Sequence, residues 1–277
     1  MKLTNYVVTQ ARKGVAVAAA VAAIGVAGGA MADPINFIPS GTDFAIKFVD
    51  REVEITQVGQ ELFGIFNITT ITNANGTQTF WNGNGVTDGT QLVGFFQGLT
   101  AVADQTGGTG LSFTGGTFSI FDVANGVYSP GTTPNTKNFL NQLCGGSAIC
   151  LANPWLSGVF SPGINDSING NATLQAALAT TNVQAGFGFQ SVTGGANAAR
   201  FDTNGFTFTN FGPADLFLRS NFVLAGSQSC PTSQSDGWQV CSDDPITGRT
   251  IPEPATVAIM GLVLAALGVT ARRRKAM

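Results

Sequence analysis

FAIKFV at residues 44–49 and LFGIFNITTI at residues 62–71 are the two apolar segments that decide the fold class. In the first segment, aromatic and branched residues alternate with smaller or charged ones, which is the two-residue period of a strand. The second segment is apolar on both faces, as expected of a buried strand. The turn signal NANG follows at residues 73–76. This part of the chain therefore predicts antiparallel β structure.

The same alternation of short strands and turns continues along the chain. Further strand candidates are Thr77–Trp81, Leu92–Phe96, Leu111–Thr114, Thr117–Asp122, Phe187–Val192, Gly205–Thr209 and Asp215–Leu224. Short helices are predicted at Thr136–Cys144 and Thr173–Thr180. Such spacing is typical of sandwiches and barrels, and we predict an all-β domain at residues 33–225, an antiparallel β-sandwich or jelly-roll-like fold with short helical insertions. Residues 226–251 are rich in Ser, Asp, Thr and Pro and are predicted to be a linker.

Composition limits the chemistry that this domain can perform. The chain of 277 residues contains no histidine, 36 glycines and 21 phenylalanines. Without histidine there is no Ser-His-Asp or Cys-His catalysis and no His-ligated zinc. Residues 33–251 carry six basic residues against 15 acidic ones, which is too few for a basic patch that binds nucleic acid. We therefore expect a non-catalytic protein with no catalytic residues, no metal or other cofactor, and no nucleic-acid partner.

The N-terminus has the pattern of a secretory signal peptide. Basic residues within the first 13 positions precede an uncharged run of Ala, Val and Gly. The run closes on small residues, Ala30 and Ala32, at the −3 and −1 positions of a cleavage site before Asp33. We expect residues 1–32 to direct the chain through the Sec translocon and to be removed by signal peptidase.

The C-terminus carries a second membrane signal. Ala255–Ala271 is an uncharged run of 17 residues, which as a helix would span roughly 25 Å, the short end of a transmembrane segment. Four cations follow at once and predict that the tail stays cytoplasmic: Arg272, Arg273, Arg274 and Lys275. We therefore expect a transmembrane helix that anchors the chain transiently in the inner membrane, with residues 33–251 outside.

The motif Pro252-Glu253-Pro254 stands directly before this apolar run. Together with the run, the basic tail and the N-terminal signal, Ile251–Lys275 resembles the PEP-CTERM sorting domain of Gram-negative bacteria, and residues 252–277 are read as the sorting signal. The resemblance implies that exosortase, an integral-membrane transpeptidase-like enzyme, reads the motif and removes the helix. It also implies an exported protein at the cell surface or in the extracellular matrix, where exopolysaccharide or biofilm could be its partner.

The four cysteines all lie in the exported part of the chain, where oxidation is expected. They are Cys144, Cys150, Cys230 and Cys241, and four cysteines allow three pairings. The local pairing is our choice, with the first joined to the second and the third to the fourth. We expect structural disulfide bonds, because the spacing does not suit zinc and a catalytic thiol would lack a histidine.

One acidic stretch and one tryptophan are candidate ligand residues. Asp50, Glu52 and Glu54 alternate and would share one face of a continuous strand. They could bind Ca²⁺ or supply the acid pair of a glycosidase, but we interpret them as a solvent-facing strand that charge keeps soluble. Trp81, beside a Gly/Asn-rich turn, is a candidate sugar-stacking platform. The alternatives to a surface or matrix protein are thus a carbohydrate- or calcium-binding module and, third, a secreted carboxylate-dependent hydrolase.

Overall fold

The computed structural model describes residues 38–83, 89–103, 111–130, 137–164, 172–177, 183–208, 212–224, 238 and 240–251. These residues form twelve strands and three short helices, and each strand pair is antiparallel. The strands are β1 (Asp43–Glu52), β2 (Glu61–Asn73), β3 (Thr79–Asn82), β4 (Thr90–Ala103), β5 (Leu111–Ala124), β6 (Leu156–Ser161), β7 (Leu174–Ala177), β8 (Val183–Gly194), β9 (Phe206–Phe208), β10 (Gly212–Ala214), β11 (Leu216–Leu224) and β12 (Val240–Arg249). The helices are α1 (Phe139–Cys144), α2 (Ala148–Ala152) and α3 (Ala198–Phe201). The predicted all-β, antiparallel class with short helices is confirmed.

Eight of these strands close into a barrel. Their order is β1-β12-β11-β8-β6-β5-β4-β2, and β2 pairs back onto β1. Phe44 of β1 is thus paired with Gly248 of β12 on one side and with Asn73 of β2 on the other. The domain is a closed barrel rather than the sandwich or jelly roll that we predicted, because a sandwich keeps open sheet edges and this sheet has none in its ring of eight.

Phenylalanine and glycine share the interior of the barrel. Gly64 is paired with Phe96, and a Cβ atom on Gly64 would lie 2.6 Å from the Phe96 ring. Gly94 and Phe66 form the reciprocal pair, and a Cβ atom on Gly94 would lie 2.2 Å from the Phe66 ring. Each ring therefore occupies the space above the glycine that faces it. Because each large ring faces a residue without a side chain, a narrow eight-stranded barrel can enclose several phenylalanines at the density of a normal core.

Strand β5 is longer than the sequence predicted. Two strands were expected on either side of Gly115 and Gly116, but a single strand runs through both glycines. Their φ angles are 74° and 101°, values that glycine adopts readily and other residues do not. The irregular backbone therefore interrupts the apolar pattern without ending the strand.

One predicted helix is present and the other is not. Helix α1 lies within the predicted range and ends at Gly145, whose φ of 55° is left-handed. The helix predicted at Thr173–Thr180 is wrong over its described residues, since Leu174–Ala177 form β7, which pairs with β5 and β8. Pairing on two neighbouring strands outweighs the helix propensity of the Ala/Leu sequence.

The segment that we predicted as a linker contains the last strand of the barrel. Residues 240–249 form β12, which pairs with β1 along its whole length and with β11 at both ends. The pairing with β11 passes from Leu218–Ile246 to Phe222–Ser242, and Pro245, which has no N–H to donate, lies in the interval. The linker prediction is therefore wrong here, because Ser, Asp and Pro were taken as loop residues. Residues 226–237 lie outside the described residues.

The two ends of the barrel sequence are tied together by a clasp, which we define as residues 38–42 and 249–251. The Thr250 hydroxyl donates to the carbonyl of Pro39 at 2.8 Å, and the Thr250 N–H donates to the carbonyl of Thr42 at 3.1 Å. The N–H of Ile251 donates to the carbonyl of Arg200 in α3 at 2.9 Å. The first and last described segments of the barrel therefore meet at one end of it.

Helix α3 covers that same end of the barrel. Its Phe201 is fully buried and packs edge-on against Phe44, with ring centroids 5.3 Å apart, and against Trp155 at 5.5 Å. Within the described ranges, no helix is both long enough and apolar enough to cross a membrane. The predicted signal peptide and the predicted span at 255–271 lie outside those ranges.

Candidate functional site: an acid cluster inside the barrel

Strand β1 carries two carboxyl groups into the barrel interior. Residues 44, 46, 48, 50 and 52 are buried and point inward, because alternate residues of a strand share a face. Asp50 is 1% exposed and Glu52 is 2% exposed. Our expectation that they face solvent is wrong. The apolar residues earlier in β1 already occupy the inner face, and the same alternation continues to the end of the strand.

A third carboxyl group joins them from the neighbouring strand. Asp244 of β12 is paired with Phe48 and is 2% exposed. One carboxylate oxygen from each of Asp50, Glu52 and Asp244 lies within 4.8 Å of the other two, and we call these three residues the interior acid cluster. Glu54, which we grouped with the first two, is exposed and follows the end of β1. It takes no part in the cluster.

Polar side chains from two further strands reach this region. The Ser242 hydroxyl donates a short hydrogen bond to Asp244, and the Ser220 hydroxyl of β11 lies 3.0 Å from that of Ser242. Gln190 of β8 is 2% exposed, and its Oε1 atom is buried without a hydrogen-bond partner. The Oδ1 atom of Asp50 is also buried and unpartnered. Two oxygen acceptors inside the barrel therefore lack a donor.

The pKa values of two residues of the cluster, Asp50 and Glu52, are raised. Burial raises the pKa of Asp50 well above its ordinary value, and the carboxyl groups of Glu52 and Asp244 raise it further. Burial, followed by the charge of Asp244, raises the pKa of Glu52 to about 8, although a hydrogen bond with Asp50 opposes the shift. Glu52 therefore retains its proton near neutral pH.

The cluster borders a small and mainly apolar cavity. Its volume is about 30 Å³, which is room for about two waters. Phe48, Phe66, Phe96 and Phe118 are among its walls, and none of the described residues that line it is basic. Pockets for organic ligands are about ten times larger. The site as folded suits waters or a single ion, and it leaves no room for a sugar ring between the carboxylates.

The structure does not support the proposed sugar-stacking platform. Trp81 is 5% exposed, and Trp155 and Trp238 are also buried. The indole N–H of Trp238 donates to the carbonyl of Pro130 at 3.0 Å. These rings pack in the core, where no face is available to a polysaccharide, so the tentative assignment of Trp81 is wrong.

The described cysteines are disulfide-bonded, as expected for an oxidising environment. Cys144 and Cys150 form a disulfide bond, with 5.8 Å between their Cα atoms, which is the first of the two local pairs that we predicted. Cys241 is also disulfide-bonded, and Cys230 lies outside the described residues. The bond between the first two connects the end of α1 to α2, two elements that are too short to be stable alone.

Residues 250–275 match the family model of the PEP-CTERM protein-sorting motif. The match confirms the resemblance noted on Pro252, Glu253, Pro254 and the segment after them. Comparison with curated proteins and with solved structures finds no match. The motif implies that the chain is exported, that a C-terminal anchor holds it in the membrane before cleavage, and that exosortase processes it. The motif begins as the clasp ends, so the barrel and the sorting signal are directly continuous.

Proposed function

We propose that this chain is a non-catalytic protein of the bacterial cell surface or extracellular matrix, released from its membrane anchor by exosortase and associated with exopolysaccharide. The observation that carries the proposal is the sorting motif at residues 250–275. Its position directly after β12 supports a role in delivering the barrel itself. The disulfide bond between Cys144 and Cys150 suits an oxidising, exported environment.

A non-enzymatic role agrees with the chemistry of the barrel. The only acid cluster that the described residues form lies in a cavity of about 30 Å³, whereas a glycosidase must place two carboxyl groups on either side of a sugar. The chain contains no histidine that could act as a base in its place. These features favour a stable exported module over the hydrolase alternative.

The clasp gives the anchored form a defined orientation. Ile251 is hydrogen-bonded to α3, and the sorting motif follows at the next residue. The anchor that the motif implies therefore follows the clasp end of the barrel directly in the sequence. We infer that the opposite end, where β1 ends and β12 begins, faces away from the membrane before cleavage.

The sorting part of the proposal is tested with a tag placed after Met277. Glu253→Ala leaves the apolar run and its basic stop unchanged, so the variant should insert normally but remain in the inner membrane with its tag attached. Replacing both Leu262 and Leu264 by Asp should instead prevent anchoring, because a charge at a helix centre costs about 2.5–3.5 kcal/mol. Glu54→Ala, at an exposed glutamate of the barrel, is the matched control. Release of the Glu253→Ala protein at the wild-type rate would contradict recognition of the motif.

The location is tested separately, in host cells with and without their exopolysaccharide genes. Fractionation should find the processed protein retained with the matrix only when exopolysaccharide is made. If the processed protein distributes identically in both strains, sorting stands and the association with exopolysaccharide is wrong.

A further inference from the structure

The interior acid cluster brings three carboxyl groups together inside the barrel. Asp50, Glu52 and Asp244 are all at least 98% buried, and none of the described residues lining their cavity is basic. An ionised carboxylate without a partner costs several kcal/mol in the interior of a protein. Buried carboxylates are therefore paired with cations, coordinate metals or stay protonated. Three such groups together make the requirement for a positive charge stronger.

Gln190 provides an independent observation from another wall of the barrel. It projects from β8, which does not neighbour the strands of the cluster, yet it lines the same cavity. Its side chain is 2% exposed, and the amide oxygen accepts no hydrogen bond. A buried acceptor without a donor is costly. An amide oxygen, like a carboxylate oxygen, can either accept a hydrogen bond or coordinate a metal ion.

The dimensions of the cluster suit one ion in particular. Two oxygens on opposite sides of a bound Ca²⁺ are about 4.6–5.2 Å apart, because Ca–O bonds are about 2.3–2.6 Å long. The three carboxylate oxygens lie within 4.8 Å of one another, which matches the spread of the oxygens around a single calcium ion. The cavity of about 30 Å³ adds room for a water ligand, and binding through both oxygens of a carboxylate brings the set to the six that Ca²⁺ requires at least.

We propose that the interior acid cluster and Gln190 bind a calcium ion inside the barrel. Carboxylate and amide oxygens from three strands surround the ion, and water supplies the remaining ligands. Calcium is favoured over magnesium because Mg²⁺ demands bonds of about 2.0–2.1 Å in regular octahedral geometry and gives up its waters reluctantly. Extracellular calcium modules bind in the range of about 10⁻⁴–10⁻³ M, and an affinity in this range suits an exported protein. The proposal does not depend on the sorting route or on exopolysaccharide.

The test is equilibrium dialysis of the purified full chain, in detergent, against radioactive calcium, combined with thermal unfolding in EDTA and in millimolar CaCl₂. The wild-type chain should bind one calcium per molecule, with at least tenfold preference over magnesium, and should melt at a higher temperature in calcium. An ion that binds only the folded state stabilises it by RT ln(1 + [Ca²⁺]/Kd). No binding at millimolar calcium, or equal affinity for magnesium, would overturn the assignment.

The calcium affinities of three variants test which residues bind the ion. Asp244→Asn keeps the size of the side chain and removes one charge, and it should weaken calcium binding at least tenfold. Gln190→Met keeps an unbranched side chain of similar length without the amide oxygen, and it should weaken binding severalfold. Asp243→Asn is the matched control, because Asp243 is adjacent in sequence but exposed, and it should bind as the wild type does. Circular dichroism in EDTA shows which variants fold.

The outcomes are distinct. Calcium binding that survives both Asp244→Asn and Gln190→Met places the ion elsewhere and overturns the proposal. Weaker binding in Asp243→Asn than in Asp244→Asn would do the same. If Asp244→Asn does not fold in EDTA, then Gln190→Met and Asp50→Asn decide the question by the same measurement, and unchanged affinity in either of them contradicts the site.

Discussion

In the absence of metal, the barrel should lose stability as the pH rises from about 5 to about 8, and Glu52→Gln should abolish much of this loss. The pKa of Glu52 is raised from 4.5 to about 8 by burial and by the charge of Asp244. Between these two values the folded chain holds a proton that the unfolded chain has released. The free energy of unfolding therefore falls as the pH rises. This stabilising contribution is complete below about pH 4.5 and is lost as the pH passes about 8.

The size of the effect follows from the shift. A pKa raised from 4.5 to about 8 corresponds to about 5 kcal/mol, at about 1.4 kcal/mol per unit. Domains are commonly stable by about 5–15 kcal/mol, so the loss is a large part of the total. Burial shifts Asp50 in the same direction. Glutamine has the shape of a protonated glutamate and cannot ionise, so the variant should match the wild type at low pH and be more stable at high pH.

The assay is urea unfolding of the full chain in EDTA at about pH 5 and about pH 8, followed by the fluorescence of the buried tryptophans. Glu54→Gln is the matched control, since Glu54 is an exposed glutamate two residues further along the chain. It should not change the difference between the two pH values. Equal stability of the wild type at both pH values, or a pH dependence that Glu52→Gln leaves intact, would refute the reasoning that burial controls this carboxyl group.

Three further predictions concern packing, the disulfide bond and the clasp. Gly94→Ala should lower the free energy of unfolding by about 1–3 kcal/mol, because the added Cβ would lie 2.2 Å from a phenylalanine ring, whereas Gly205→Ala, with its nearest neighbour at 3.4 Å, should be tolerated in the same urea titration. Replacing Cys144 and Cys150 together by alanine should cost about 2 kcal/mol, as expected for so short a loop, and a wild-type melting temperature in the double variant would contradict this. Thr250→Val should lower stability by about 1–2 kcal/mol, because it removes the hydroxyl that donates to the Pro39 carbonyl and accepts from the Thr42 N–H, while Thr250→Ser retains the hydroxyl and should melt close to the wild type.

The strands nearest the start of the domain could be predicted because their signal is local. In β1 and β2, apolar residues recur at the period of a strand within ten or so positions. Barrel closure depends instead on the pairing of Phe44 with Gly248, and residues so far apart in sequence leave no periodic trace of their contact. The sequence therefore indicates the class of the fold, but it does not distinguish a closed sheet from two stacked ones.

Two of the three residues of the interior acid cluster could have been placed in the interior from the sequence. Asp50 and Glu52 continue the alternation of the buried residues before them, and that signal could have placed them in the interior. Glu54 follows them at the same spacing, and three alternating acidic residues were interpreted as the solvent-facing side of a strand. Asp244 could not have been found in this way, because Ser, Asp and Pro in VCSDDPITGR resemble a loop. Its strand is stabilised by neighbours on both sides, which a local pattern does not record.

The position of β12 places folding and sorting in a fixed order. This strand closes the barrel against β1, supplies Asp244 to the interior acid cluster and ends at Arg249, directly before the sorting motif at residues 250–275. Neither the closed barrel nor the complete cluster can therefore form until the chain has been exported almost as far as the motif. If the basic tail then halts the chain in the membrane, β12 pairs while the C-terminus is still anchored. The interior acid cluster is therefore complete only when β12, which carries Asp244, has paired beside the last inward positions of β1.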